Sequence, residues 1–223
     1  MGEKVVLRAE DGHELDAYVA RPVGEPIAGL VVVQEVFGVN DHIRRMTDEW
    51  ARDGFLAVAP AMFDRIERNV DLSYEGDDLI HARTFSPRVD SEKALLDLNA
   101  AIAFARASKI KVGIVGYCFG GSMAYMAAAR LKVDAAVGYY GGRILSQPEP
   151  VPQCPTMLHF GRLDGHIPVE GVEKLAAAHP EIPVYLYDAG HGFSCDARAS
   201  YHAESARLAR ERSLEFLNKY LTR

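Results

Sequence analysis

The chain has 223 residues, enough for one medium-sized domain with a substantial core, and its 48% apolar and 25% charged content is that of an ordinary soluble globular protein. A formal net charge of −6 without any basic stripe gives no electrostatic support for a nucleic-acid or anionic-membrane partner. The start Met1–Arg8 is too polar for a signal peptide, no apolar run reaches the roughly 18 residues of a membrane span, and the 3 cysteines (Cys118, Cys154, Cys195) are odd in number and widely spaced. A cytoplasmic protein with no disulfide framework, metal or cofactor is the expectation.

Strand-like and helix-like segments alternate. Val5–Arg8 and Glu14–Ala20 flank Asp11-Gly12 and read as an N-terminal hairpin. Ala28–Gln34 is a continuous apolar run, the pattern of a strand covered on both faces. Ile43–Asp53 places Ile43, Met46, Trp50 and Ala51 on one helical face, and Gly54 stops it before the strand Leu56–Ala59. Residues 61–89 are rich in charge and poor in aliphatics, which predicts a long loop or a short lid. A helix follows over Asp90–Ala107, with Ala94, Leu95, Leu98, Ala101, Ile102 and Ala105 at 3-4 spacing.

The second half predicts a strand at 112–116, a helix at 120–131, strands at 134–139 and Thr156–Phe160, a helix at Val169–Ala178, a strand at Val184–Tyr187 and a long helix from about Ser200 to Leu221. This alternation makes the fold class α/β, a mostly parallel central sheet with helices on both faces, in a single domain spanning 1–223. In such sheets the loops after the strand C-termini hold the site.

Those loops carry the informative residues. Gly116-Tyr117-Cys118-Phe119-Gly120 joins an apolar strand to a small-residue helix, so the central side chain is forced out of the fold in front of a helix N-terminus. Serine is the usual occupant of such an elbow. Here Cys118 is the candidate nucleophile; its plain alternative, a buried structural cysteine, sits poorly with the flanking glycines. Asp164 follows the strand ending at Phe160, and His191 in Ala189-Gly190-His191-Gly192-Phe193 follows the strand ending at Tyr187. Taken singly, a loop aspartate caps the next helix and a loop histidine is solvated. In the order 118, 164, 191, each after a strand, they form a nucleophile–acid–histidine set. Glu35 ends the strand 28–34 and should point into the cleft; its alternative is a pairing with Arg44 or Arg45. The N–H groups of Val36 and Phe119 stand where two oxyanion donors belong. His13, His42, His81, His159, His166, His179 and His202 show no ligand spacing and default to packing or surface roles.

At these residues the chain resembles the dienelactone hydrolase (carboxymethylenebutenolidase) family of the α/β-hydrolase fold. The resemblance rests on Gln34-Glu35-Val36-Phe37-Gly38, Gly116–Gly121, Gly138-Tyr139-Tyr140-Gly141, Gly161-Arg162-Leu163-Asp164 and Ala189–Phe193. It implies a small lactone or ester substrate, attack by Cys118, proton transfer by His191 held by Asp164, and a Glu35 carboxylate that receives the thiol proton when substrate arrives. Cys118 would thus rest as a protonated thiol. Phe37, Tyr140 and Phe193, within these motifs, are candidate substrate contacts.

The family's prototypes also hold a substrate carboxylate with two arginines, one of them a helical turn past the catalytic histidine. Here that place is Cys195, and Arg198 is the next arginine. Arg65, Arg68, Arg83, Arg88 and Arg143 are the other possibilities, with Arg83, Arg143 and Arg198 retained as candidates. A thioesterase or peptidase, or a redox-sensing module on the same scaffold, are the competing readings; the oligomeric state is not legible.

Overall fold

The computed structural model describes residues 2–106, 110–146 and 150–222. The chain divides into two compact units, Met1–Ile114 and Val115–Arg223.

In the first unit, β1 (Glu3–Arg8) pairs antiparallel with β2 (Glu14–Ala20), Glu3 opposite Val19 and Arg8 opposite Glu14, which confirms the hairpin. β2 alternates exposed or half-buried with buried residues, as a strand with one covered face must. β3 (Ala28–Val33) and β4 (Phe55–Pro60) run parallel and are buried throughout, the reason both read as unbroken apolar runs. α1 (Asp41–Arg52) lies between them in sequence. It starts where the Asn40 side chain accepts the Ile43 N–H, and Trp50 packs edge-on against Phe55 at 5.9 Å. Its buried stripe is His42, Ile43, Thr47, Trp50 and Ala51; Met46, expected on that face, is only half-buried.

Residues 61–89, expected as a long loop or a short lid, contain short helical elements. They form α2 (Gly76–Ala82) and a 3₁₀ turn at Ser86–Arg88, and Phe63 and Phe85 stack at 4.7 Å, both buried. Arg65 donates to both oxygens of Asp97 at 2.7 and 2.8 Å and also to Asp11. The segment is fastened to its own unit by a few widely spaced anchors, which leave no period for sequence to show. α3 (Ser91–Arg106) follows; Ala107, its expected last residue, lies outside the described residues.

β5 (Val112–Tyr117) begins in the first unit and ends in the second. The second unit then contains α4 (Phe119–Arg130), β6 (Ala135–Tyr139), β7 (Thr156–Gly161), α5 (Val169–Ala178), β8 (Val184–Tyr187) and α6 (Ala203–Leu221). β6, β7 and β8 are parallel, with Tyr139 beside His159 and Gly161 beside Tyr187. α4 is buried from Phe119 to Ala129, which its glycines and alanines permit by letting neighbours approach on every side. α6 starts at Ala203, three residues later than the sequence predicts, with the His202 imidazole accepting the Ser205 N–H as its cap. β2 also pairs antiparallel with β4, while the pairings of β3 with β4, β6 with β7 and β7 with β8 are parallel. Among the described residues no helix is long and apolar enough to cross a membrane.

Candidate active site

Cys118 sits at the turn between β5 and α4 with φ 54° and ψ −114°, a conformation a side chain rarely adopts and one that costs on the order of 1–3 kcal/mol. Two glycines make the turn sterically possible. A Cβ on Gly116 would lie 1.9 Å from the Gly120 carbonyl oxygen, and one on Gly121 would lie 2.3 Å from that of Tyr139. The Cys118 N–H donates to the Tyr139 carbonyl at 3.0 Å, while the Cys118 carbonyl accepts from Gly121 and Ser122 in the first turn of α4. The thiol is left half-exposed in front of the helix N-terminus.

The loops after β7 and β8 carry the other two groups and are laced together. Arg162 N–H donates to Tyr187 O at 2.7 Å and Leu163 N–H to Ala189 O at 3.1 Å. Asp164 is buried, with one carboxylate oxygen accepting the His166 N–H at 2.8 Å and the other 2.7 Å from His191 Nδ1. It does not cap α5, whose N-cap is Pro168 without a side-chain bond. His191 Nε2 lies 3.1 Å from Cys118 Sγ. A carboxylate, an imidazole and a thiol are thus joined in one line.

Second contacts hold the imidazole. The Tyr140 ring lies 5.1 Å from it and the His166 ring 5.4 Å, edge-on. Tyr140 is itself strained at φ 37°, and its hydroxyl is 2.7 Å from that of Ser194. Ser200 donates to the His191 carbonyl at 2.7 Å. Neither serine has a sequence signal, since each acts across a loop through a single hydrogen bond.

Burial alone would lower the His191 pKa, but the hydrogen bonds to Asp164 and Cys118 and the charges of both raise it to about 10. Burial would likewise raise that of Asp164, and the bond to His191 outweighs it and lowers it. The signs fix a pH dependence. A raised histidine stabilises the fold fully below its unfolded value near 6.5 and loses that contribution as pH rises towards about 10. The lowered carboxyl contributes above its unfolded value and loses its share only in acid. Thermal midpoints of the native protein should therefore fall relative to those of His191→Gln between pH 6.5 and 10. Parallel curves for the two proteins would contradict the pairing.

The remaining candidates divide. Phe37, Tyr140 and Phe193 are buried, Phe37 against Tyr74 at 4.3 Å and Phe193 against Tyr140 at 5.5 Å, so their rings offer packing and not a face for substrate. Glu35 is fully buried at the end of β3, in the first unit with Val36. Gln34 Nε2 donates to the Glu35 carbonyl at 3.3 Å, and Gln34 Oε1 accepts the Met62 N–H. Arg44 is engaged by Asp41 and Asp71. Arg68 bonds the Glu14 carbonyl, and Arg65 is held as described. Arg83 is exposed at the end of α2, and Arg143, half-buried, follows β6. Arg198 is closer to the site than its spacing suggests. Gly192, at φ 75°, has its Cβ position filled by the Arg198 guanidinium, next to His191 in sequence.

A mostly parallel sheet, a strained cysteine elbow and an acid and a histidine on the following strand ends define an α/β hydrolase. The Dienelactone hydrolase family matches over residues 15–221, and the chain belongs to that family. It is 35% identical over 225 residues to a carboxymethylenebutenolidase of Pseudomonas putida, covering 96% of this chain and 95% of that one. A carboxymethylenebutenolidase of Cupriavidus pinatubonensis is 28% identical over 226 residues, with 97% of each chain covered. The crystal structure of a candidate dienelactone hydrolase from Klebsiella pneumoniae superposes with a TM-score of 0.85 at 29% identity, over 99% of both chains.

Proposed function

We propose that this protein is a cysteine-dependent hydrolase of small esters or lactones, acting as one domain through Cys118, His191 and Asp164. The hydrogen-bonded line from Asp164 through His191 to Cys118 Sγ, 2.7 and 3.1 Å, carries the reading. The carboxymethylenebutenolidases it resembles support the substrate class.

When substrate arrives the thiol proton passes to Glu35, as the family resemblance assigns, and Cys118 Sγ adds to the carbonyl carbon beside a His191 that is protonated at Nε2. The oxyanion is met by the Phe119 N–H at the start of α4 and, as the family resemblance assigns, by the Val36 N–H. Collapse breaks the C–O bond; His191 gives its proton to the departing oxygen, which in a lactone stays tethered to the acyl chain. Water then attacks the thioester, His191 takes a water proton, and the acid and the thiolate are released. Glu35 then returns its proton to the released sulfur, so that Cys118, on the same resemblance, rests as a protonated thiol until the next substrate arrives. The 3.1 Å separation of Cys118 Sγ and His191 Nε2 supports this reading. A nucleophilic thiol and 3 free cysteines suit a reducing cytoplasm.

Rapid acid quenching with an activated ester, followed by peptide mass spectrometry, should find the acyl mass on Cys118. Acyl transfer to another residue, or none during turnover, would refute the mechanism. Asp164→Asn keeps the shape but presents no charge to the imidazolium, and it should lower kcat by about 10²–10⁴-fold with a small change in KM.

A further inference from the structure

His159 lies mid-strand in β7 with no exposed surface, and both of its ring nitrogens are hydrogen-bonded to side chains. Nε2 is 2.9 Å from Ser213 Oγ and Nδ1 is 2.8 Å from the Tyr187 hydroxyl. Nothing in the proposed reaction uses it.

The sense of every bond around it follows from one constraint. Ser213 Oγ lies 2.8 Å from the Ala209 carbonyl, which can only accept, so the single serine proton goes there. Ser213 Oγ must then accept its other two contacts, from the Tyr139 hydroxyl at 2.7 Å and from His159 Nε2–H. Nδ1 is therefore bare and accepts the Tyr187 proton. The Tyr187 oxygen in turn accepts from Arg212 Nη1 at 3.0 Å. The chain runs one way, from Arg212 through Tyr187, His159 and Ser213 to the backbone of α6, with every partner satisfied. The Arg212 guanidinium, 4.2 Å above the Tyr185 ring, is the charged group that faces the ring. Burial, and then that charge, hold the His159 pKa down to about 3.

The output of this chain is Tyr139. Its hydroxyl is fixed by Ser213, and its carbonyl receives the Cys118 N–H at 3.0 Å. The next residue, Tyr140, donates its N–H to the His159 carbonyl at 2.7 Å, adopts φ 37° and presents its ring to His191. One residue thus restrains, by side chain and by main chain, the two-residue corner that supports both the nucleophile turn and the imidazole.

We propose that His159, as the neutral Nε2–H tautomer, is a positioning residue for Cys118 and His191, acting through Ser213 and the Tyr139-Tyr140 corner. The proposal rests on the triad reading given above. Misplacement of reacting groups by fractions of an ångström lowers the rate of chemistry more than binding.

Three proteins test it. His159→Leu removes both links and should lower kcat for p-nitrophenyl acetate by about 10- to 100-fold with KM changed less than about twofold. His159→Gln offers an acceptor and a donor and should restore kcat to within about threefold of wild type. In the unaltered protein, long-range ¹⁵N–¹H correlation should show His159 protonated at Nε2 only, from pH 8 to 5. Wild-type kcat in folded His159→Leu, a loss that His159→Gln does not restore, or an Nδ1–H or doubly protonated ring would overturn the proposal. Should the native protein turn over no ester, the tautomer still judges the chain of bonds while the hydrolase reading fails alone.

Discussion

Cys118→Ala should lose ester hydrolysis almost entirely, with kcat/KM for p-nitrophenyl acetate falling by about 10⁴–10⁶-fold, because the atom that forms the covalent bond is gone. The imidazole and Asp164 remain, so the residue of activity measures what the rest of the site does alone. Cys118→Ser should regain little of it. His191, with Asp164 behind it and a pKa raised to about 10, is arranged to stabilise an imidazolium beside a thiolate. A serine hydroxyl ionises far less readily, so the same imidazole takes its proton at a much greater cost. The measurement is steady-state turnover together with iodoacetamide labelling of the native protein. Cys154 is half-buried, its thiol pushed up to about 11 chiefly by burial, and Cys195 is buried, so alkylation should fall first on Cys118 and track the loss of turnover. Undiminished turnover by Cys118→Ala would end the nucleophile assignment. A reactive Cys118 with no turnover of any ester, lactone or thioester would favour the sensor reading.

Much of this site is legible in sequence because each of its three groups follows a short, mostly apolar strand. A strand buried on both faces writes itself as Val-Gly-Ile-Val or Met-Leu-His-Phe, and the next residues must be the loop at its C-terminal end. Glycines then mark where backbone has to pass close to backbone: Gly116, Gly121 and Gly161 each stand within van der Waals overlap of a carbonyl group if given a Cβ.

What stays hidden is polar and non-local. The bond from Tyr140 to Ser194 and that from His159 to Ser213 each join residues 54 apart, and no local period records either. The lashing of residues 61–89 through Arg65 to Asp97, 32 apart, is hidden for the same reason. Motif aromatics mislead in the opposite direction. Phe37, Tyr140 and Phe193 lie in recognisable segments beside catalytic candidates, yet they are buried, because a strained loop needs packing behind it more than it needs another wall. Arginines carry no local signal of role at all. Arg65 and Arg68 are committed to carboxylates and a carbonyl, whereas Arg198 covers Gly192 only because that glycine lacks a side chain.

Gly116→Ala is expected to be the most damaging single methyl group that can be added to this turn. The new Cβ would fall 1.9 Å from Gly120 O, 2.2 Å from Gly120 C and 2.9 Å from Gly121 N, all of them backbone atoms in the first turn of α4. No side chain can rotate to make room. Either α4 moves away from β5, or the Cys118 turn opens and gives up the bonds to Tyr139 O and from Gly121 N–H. Both routes break into a helix buried along nearly its whole length, so the loss of stability should exceed about 3 kcal/mol. Any folded fraction should have lost most of its hydrolytic rate, since Sγ can no longer sit 3.1 Å from His191 Nε2 with the rest of the turn intact. Gly165→Ala is the matched control. No atom stands within 4 Å of its Cβ position, and its stability should stay within about 0.5 kcal/mol of wild type. Urea denaturation of the three proteins, read with the kcat/KM of what remains folded, decides the matter. A Gly116→Ala protein with the native midpoint would mean that the turn is not held by backbone contact at all, and that the exposure of Cys118 has another cause.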